Sequence, residues 1–215
     1  MKSKLHYIEQ LISQGENQHL DFKFAINNSK KIARTLVAFA NTDGGKLLIG
    51  VKDNGIIAGV KTDEEYHMIA GAAELYCKPK INFENKEWLI EGKKILEIIV
   101  PESIVKPHFS LSDNNKWQAY VRVNDENILA NGVLLNVWRK IKQKKGLKIE
   151  SFEAGQKLLK FLEINPEINF TTFTKLAKIS RNRAVQILSD LIAIGLVEYK
   201  YENNQFIYKS NSLKE

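Results

Sequence analysis

The sequence predicts an α+β fold built on a mixed to antiparallel sheet, followed by a smaller domain in which a helix–turn–helix leads into a β-hairpin. Three observations carry this. Strand-like segments cluster as hairpins and the helices stand apart from them, unlike the strict strand–helix alternation of a parallel sheet. From residue 151 onward the rhythm changes to short strand, helix, turn, helix and two-stranded hairpin. Hydrophobic residues at 44% and charged residues at 27% over 215 residues describe a globular chain long enough for two domains.

Taken in order, Leu5, Ile8, Leu11 and Ile12 recur at helical spacing and predict a first helix over 4–14, ended by Gly15. Leu20, Phe22 and Phe24 alternate with polar residues and read as one face of a short strand. Ser29 is placed to cap a second helix whose Ile32, Leu36, Val37 and Ala40 face inward. Residues 46–51 and 56–60 flank Asp53-Asn54-Gly55 and read as a β-hairpin, because Asn-Gly supplies the positive φ angles of a tight turn. A third helix is expected over 63–76, stopping before Pro79. Strands follow at 86–90 and 94–100, joined by Glu91-Gly92-Lys93; Pro101 and Pro107 bracket a loop, and 117–123 form a further strand. A helix over 131–143 leads into a basic stretch.

Beyond that stretch, 152–162 form an amphipathic helix broken at Asn165-Pro166. Ser180 caps the later of the next two helices, Ala184, Val185, Leu188 and Leu191 with Ile192 form its buried stripe, and Gly195 ends it. The closing hairpin turns at Glu202-Asn203-Asn204. The expected organisation is a first domain over 1–138, a connector over 139–150 and a second domain over 151–215.

The net charge of +7 is unevenly distributed. Residues 1–138 hold 17 basic and 17 acidic side chains, whereas the connector holds Arg139, Lys140, Lys142, Lys144, Lys145 and Lys148 against Glu150 alone. Charge by itself leaves this cluster open as a solvated helix end or as a segment that contacts phosphates. A single cysteine, Cys77, excludes an internal disulfide framework. With no apolar run of membrane-spanning length and no export-like N-terminus, a cytoplasmic protein without membrane association is expected.

Several short motifs stand in order: Glu16, Asp21-Phe22-Lys23, Ala38-Phe39-Ala40-Asn41, Asp43-Gly44-Gly45, Ile49-Gly50-Val51 and Asp53 through Gly59, then Pro107-His108 and Tyr120-Val121-Arg122 with Asn124. This series resembles the Schlafen AlbA_2 family, and the segment after residue 151 resembles the winged-helix superfamily. Physically, Gly44-Gly45 suits a helix-to-strand corner, with Asn41 and Asp43 able to bond the local backbone. Some Schlafen-related members are endoribonucleases that cut structured RNA with three carboxylates and a divalent metal. The resemblance places the first two at Glu16 and Asp21, where Asp is one bond shorter than the usual Glu. The third is implied just after Ile49-Gly50-Val51, where Lys52 stands and Asp53 follows. A one-residue shift on a strand turns a side chain to the opposite face, and a lysine repels a divalent cation. A ribonuclease using Glu16, Asp21 and Asp53 with Mg²⁺ or Mn²⁺ is therefore the alternative reading, and otherwise no cofactor is expected. Gly50 and Gly55 have the spacing of a phosphate loop, but Ile56 occupies its lysine position. His6, His19, His67, His108 and Cys77 show no paired zinc-ligand spacing, and His19 reads as an exposed polar residue.

The leading expectation is a nucleic-acid-binding protein, DNA favoured over RNA, acting as a transcriptional regulator or accessory factor. Arg181, Asn182, Arg183 and Gln186 open the later helix of the helix–turn–helix with side chains able to contact base edges. Lys175 and Lys178 are placed for phosphates, and Tyr199, Lys200, Tyr201 and Lys209 on the hairpin suit backbone or minor-groove contacts. Lys23 and Arg122 in the first domain and Arg139, Lys140, Lys142, Lys144 and Lys145 in the connector complete the candidate basic contacts. A third reading is a scaffold that self-associates through the second domain, and a homodimer is the commonest closed assembly.

Overall fold

Two short apolar strands, one on each side of the first long helix, organise the first half of the chain. The structure is a computed structural model that describes residues 7–143 and 152–211. It divides into two units, Met1–Ala130 and Asn131–Glu215. The first holds α1 (Tyr7–Ile12), β1 (Leu20–Lys23), α2 (Ser29–Asn41), β2 (Gly45–Ile49), α3 (Glu64–Leu75), β3 (Cys77–Lys78), β4 (Glu84–Ile90), β5 (Lys93–Val100), β6 (Phe109–Leu111), β7 (Trp117–Gln118), β8 (Tyr120–Val123) and β9 (Glu126–Leu129). β1 and β2 pair in parallel, β2 with β5 and β5 with β4 antiparallel, giving the order β1-β2-β5-β4. The fold is thus mixed α+β with mostly antiparallel pairing.

Side-chain alternation gives this sheet two apolar faces. Leu47, Ile49, Leu96 and Ile98 meet Leu36, Val37 and Phe39 of α2, with Ile69 and Ala72 of α3 behind them. Leu20, Phe22, Leu48 and Ile95 meet Ile8 of α1 on the other face. That second face contains one fully buried carboxylate, Glu97, which accepts from the Tyr7 hydroxyl and the Trp88 indole N–H, both at 2.8 Å. Lys46 Nζ stands 3.7 Å away and donates to the Tyr7 hydroxyl at 2.6 Å, so the charge is balanced and α1 is tied to the sheet.

Several local expectations gave way to tertiary pairing. The Asn-Gly turn forms, with Gly55 at φ +81° and its N–H on Lys52 O, but the hairpin it closes is only a single antiparallel bridge, Val51 with Ile57, and not a strand pair over 46–51 and 56–60. β2 is instead sandwiched between β1 and β5, and the 56–60 segment folds back so that Ala58 and Gly59 donate to Gly50 O. The strand expected over 117–123 is two short strands, β7 pairing with β6 and β8 with β9, separated at buried Ala119. Asn28, not Ser29, caps α2 by accepting from the Lys31 N–H. β1 ends at Lys23, leaving Phe24 half exposed beneath the Lys52 ammonium.

The second unit runs α4 (Gly132–Gln143), α5 (Phe152–Ile164), β10 (Ile168–Asn169), α6 (Phe170–Ala177), α7 (Arg181–Ala193), β11 (Val197–Glu202) and β12 (Gln205–Ser210). The three strands form an antiparallel sheet in the order β10-β12-β11. The unit boundary after Ala130 places α4 with this unit, where the expected division came after residue 138. Val133 and Val137 of α4 share a core with Leu158, Leu162, Phe173, Leu188 and Tyr208. Residues 139–143 of the expected connector are helical, and 144–150, with Lys144, Lys145 and Lys148, lie outside the described residues. α7 buries Ala184, Ile187, Leu188 and Leu191, while Val185, expected in the core, is half-buried at its edge.

The corner between α2 and β2 depends on Gly44. Its φ is +72°, and an added Cβ would lie 2.8 Å from both Val100 O and Glu102 N, backbone atoms that cannot rotate away. Gly44→Ala is expected to cost about 2–5 kcal/mol, combining left-handed strain with overpacking. Urea unfolding of the variant checks this, and a loss below about 1 kcal/mol would show that the corner can relax.

Candidate functional site

Two places concentrate chemistry-bearing side chains, one in each unit. In the first, β1 delivers Asp21 to the α2 side of the sheet while Leu20 and Phe22 fill the opposite face. Arg122 arrives from β8 and is buried with it, its Nη2 lying 3.1 Å from Asp21 Oδ1. The same guanidinium donates to the Asn17 and Leu20 carbonyls and to Asn127 Oδ1, and it lies 5.1 Å from the centre of the Phe39 ring. Lys23 Nζ stands 3.0 Å from Asp21 Oδ2 and 3.7 Å from Glu16 Oε1. The approach to Oδ2 is a charge contact without hydrogen-bond alignment, because that buried oxygen has no aligned donor among the described residues.

Glu16 completes the cluster by accepting the Phe22 N–H at 2.8 Å. Burial pushes its carboxyl above the ordinary 4.5; the Phe22 N–H opposes this and neighbouring Asp21 adds to it. Glu16 and Asp21 therefore come together as expected, but Asp53 does not join them. It is exposed in the 52–55 turn, and among the described residues no group of three or more His, Cys, Asp or Glu could hold a metal ion. Two cations already stand beside two carboxylates, so the cluster does not fit a divalent metal site.

Two neighbouring residues act differently from expectation. Asn41 bonds distant backbone and not its own turn, accepting from His108 N–H and donating to His108 O and Tyr120 O. Asp43 Oδ2 takes the Gln18 side-chain amide, which also reaches Arg122 O. His108 is buried between Pro79 O and the Ser103 hydroxyl, and burial lowers its pKa. His19 is exposed beside Gly44 O.

In the second unit, Asn169 and Ser180 cap α6 and α7 through side-chain oxygens. Lys178, in the left-handed conformation, makes the turn between the helices. With Ala184, Ile187 and Leu188 facing the core, Arg181, Asn182 and Gln186 are exposed and Arg183 is half-buried; Lys175 and Lys178 are exposed just before them. Lys200, expected to contact phosphates, is held at 2.6 Å by both Glu167 and Glu202. Lys209 is similarly paired with Glu198 at 2.8 Å. Tyr199 and Tyr201 pack edge-on against Phe206. On α4, Lys140 pairs with the buried Asp190, Arg139 donates to Asn136, and Lys142 is exposed. Arg122 and Lys23 belong to the carboxylate cluster, which removes Arg122 from the surface contacts that the sequence suggested.

A family model described as Schlafen, AlbA_2 matches residues 16–131. The chain belongs to the Schlafen AlbA_2 family. The DIP2311 protein from Corynebacterium diphtheriae is similar to it in solved form, at 18% identity and a TM-score of 0.46 over 92% of this chain. This chain spans only 36% of that protein. The N-terminal domain of an ATP-dependent DNA helicase RecG-related protein from Nitrosomonas europaea matches 55% of the chain and 89% of its own length, at 20% identity and a TM-score of 0.39. Dissimilatory sulfite reductase D matches 30% of the chain over its full length, at 24% identity and a TM-score of 0.27.

Within the AlbA_2 domain the motif residues converge on the buried pair: Asp21 and Arg122 form it, and Thr42 Oγ1, at the C-terminal end of α2, accepts the Arg122 N–H at 2.8 Å. Sequence reading missed the Asn17 and Asn127 contacts to Arg122; only the neighbourhood of the Tyr-Val-Arg strand hinted at them. Arg122→Ala is expected to destabilise the domain by about 3–5 kcal/mol, since it strands a buried carboxylate. Urea unfolding measures this, and a cost near that of an exposed pair would contradict the geometry.

The raised Glu16 pKa has a determined sign. The folded state binds its proton more tightly than the unfolded chain, so stability falls as pH rises from the unfolded value through the folded one. Glu16→Gln keeps an acceptor for Phe22 N–H and should flatten that fall in unfolding curves between about pH 4 and 8. An unchanged slope would show that Glu16 does not titrate with folding.

Proposed function

We propose that the protein binds nucleic acid, with duplex DNA preferred over RNA, and that its second unit is a winged helix-turn-helix reader acting in transcriptional regulation or an accessory role. The supporting observation is the charge left uncompensated on one surface. Among the described residues Lys175, Lys178 and Arg181 have no carboxylate partner, whereas Lys140, Lys200 and Lys209 are paired. These three cations run along the end of α6, the turn and the start of α7, with Asn182, Arg183 and Gln186 beside them. In such an arrangement the first turn of the later helix meets base edges and the preceding lysines meet phosphates. Membership of the AlbA_2 family and the RecG-related description of one similar structure are consistent with a nucleic-acid role. No helix among the described residues is long and apolar enough to cross a membrane. Self-association as a homodimer is part of the same proposal, since a two-fold protein suits a two-fold site.

A second reading, an Mg²⁺- or Mn²⁺-dependent ribonuclease, is favoured only by the nearness of Glu16 and Asp21. Parallel incubation of the full chain with labelled duplex DNA and structured RNA, with either metal, separates the two. The expected result is a shift of intact duplex that weakens steeply with salt. Arg181→Ala with Arg183→Ala should weaken it by about tenfold or more and relax sequence preference, while Lys200→Ala should change it little. Cleaved RNA, lost in Asp21→Ala, would replace this reading with the ribonuclease.

A further inference from the structure

A recess in the second unit lies where three helices begin. It has a volume of about 450 Å³ and is bordered by the first turns of α4 at Gly132 and Val133, α6 at Phe170 and Thr171, and α7 at Arg181 and Asn182. β12 closes it with Gln205, Phe206 and Tyr208. A volume of this order suits a small molecule.

Three properties define what the recess accepts. Its lining contains one charged side chain, Arg181, and no acid. The Arg181 guanidinium lies 5.3 Å from the centre of the Phe170 ring, which holds it at the wall, and it has no carboxylate partner among the described residues. Secondly, Tyr208 is 99% buried, being only 1% exposed, and lines the recess. Its hydroxyl accepts from Asn131 Nδ2 at 3.2 Å, but among the described residues it has no acceptor for its own proton. Burial pushes its pKa up to about 12, opposed by the Asn131 amide, so the hydroxyl keeps its proton and can donate. Thirdly, the bordering helix starts each leave N–H groups without an intrahelical acceptor, and their dipoles favour an anion. Val133, Phe170, Val185 and Phe206 give the same recess an apolar lining.

We infer that this recess binds a small organic carboxylate with a flat or short apolar body. A single arginine balances a monoanion; the second charge of a phosphate monoester would lack a cation. The carboxylate oxygens take the Arg181 and Tyr208 donors together with free N–H groups, and the body lies against Phe170 and Val185. The recess is thus an effector pocket within the unit proposed to read DNA, although its occupancy does not depend on that reading.

The test uses the full chain, ¹⁵N-labelled and without nucleic acid, titrated with phenylacetate, indole-3-acetate and hexanoate. At least one should shift the amides of Gly132, Thr171 and Asn182 saturably. The uncharged amide of the same acid should bind about tenfold or more weakly, the loss expected when a charged hydrogen-bonded group is removed. Arg181→Gln should weaken the carboxylate by a similar factor. Asn182→Asp is exposed and sits where helices welcome an acid, so it should fold normally while putting a negative charge at the recess and abolishing binding. No saturable shift with any of the three acids, equal binding of acid and amide, or undiminished binding to Asn182→Asp would each overturn the assignment. Because no nucleic acid is present, these outcomes are separate from success or failure of duplex binding.

Discussion

The first unit is built around a buried charge pair, Arg122 with Asp21. Removing two ions from water costs several kcal/mol each, so such a pair persists only where its remaining donors and acceptors are satisfied. Arg122 meets that condition by reaching the Asn17 and Leu20 carbonyls and Asn127, and its own backbone N–H is held by Thr42. One side chain therefore ties together the turn before β1, the end of α2, β8 and β9. β1 is an edge strand with a single sheet neighbour, and this tie supplies what a second neighbour would otherwise provide. The corner at Gly44 and the staple from Asn41 to residues 108 and 120 hold the same elements from the other side.

That arrangement also sets the electrostatics of the carboxylates. Asp21 is required by the fold, and Lys23 stands over the oxygen that Arg122 leaves open. Glu16 is drawn in by the Phe22 N–H and acquires an elevated pKa through burial. A pair of acids close in space is thus a consequence of how β1 is anchored. Their nearness follows from the fold and does not by itself make a metal site, and the 52–55 turn holds Asp53 exposed.

The elements that local pattern determines were legible in the sequence. α2, α3, α5 and α7 follow from helical periodicity, and β4 and β5 follow from their Glu-Gly-Lys turn. The failures share one physical cause: a local signal names a turn or a face but not its partner. The Asn-Gly turn at 54–55 is present, yet β2 pairs at greater length with β1 and β5, whose Leu20, Phe22, Ile95, Leu96 and Ile98 join its buried faces. The stripe on α4 is amphipathic whichever unit it faces, so its period could not reveal that Val133 and Val137 pack with Leu158 and Leu188. Val185 follows α7 periodicity loosely enough to fall at the edge of the core, where it borders the recess. Asn41 and Asn17 bond across long sequence separations, as does Asn127 when it donates to Thr35 Oγ1, and nothing adjacent to them marks those partners.

Charge was the least legible property, because a sequence supplies cations without their pairing. Residues 1–130 carry 17 basic and 17 acidic side chains and the described second unit carries a modest excess, yet neither sum locates a field. Pairing does. Lys200, Lys209 and Lys140 are each met by a carboxylate, so the hairpin and the face of α4 that meets α7 contribute little attraction for a polyanion. Among the described residues Lys175, Lys178 and Arg181 are not met by a carboxylate, and they follow one another along the end of α6, the turn and the start of α7. Exposed charges within about one Debye length of each other reinforce at physiological salt, while paired ones cancel over the same distance. Under the proposed reading, the attraction for phosphate comes from the start of α7, a helix end whose dipole favours an anion.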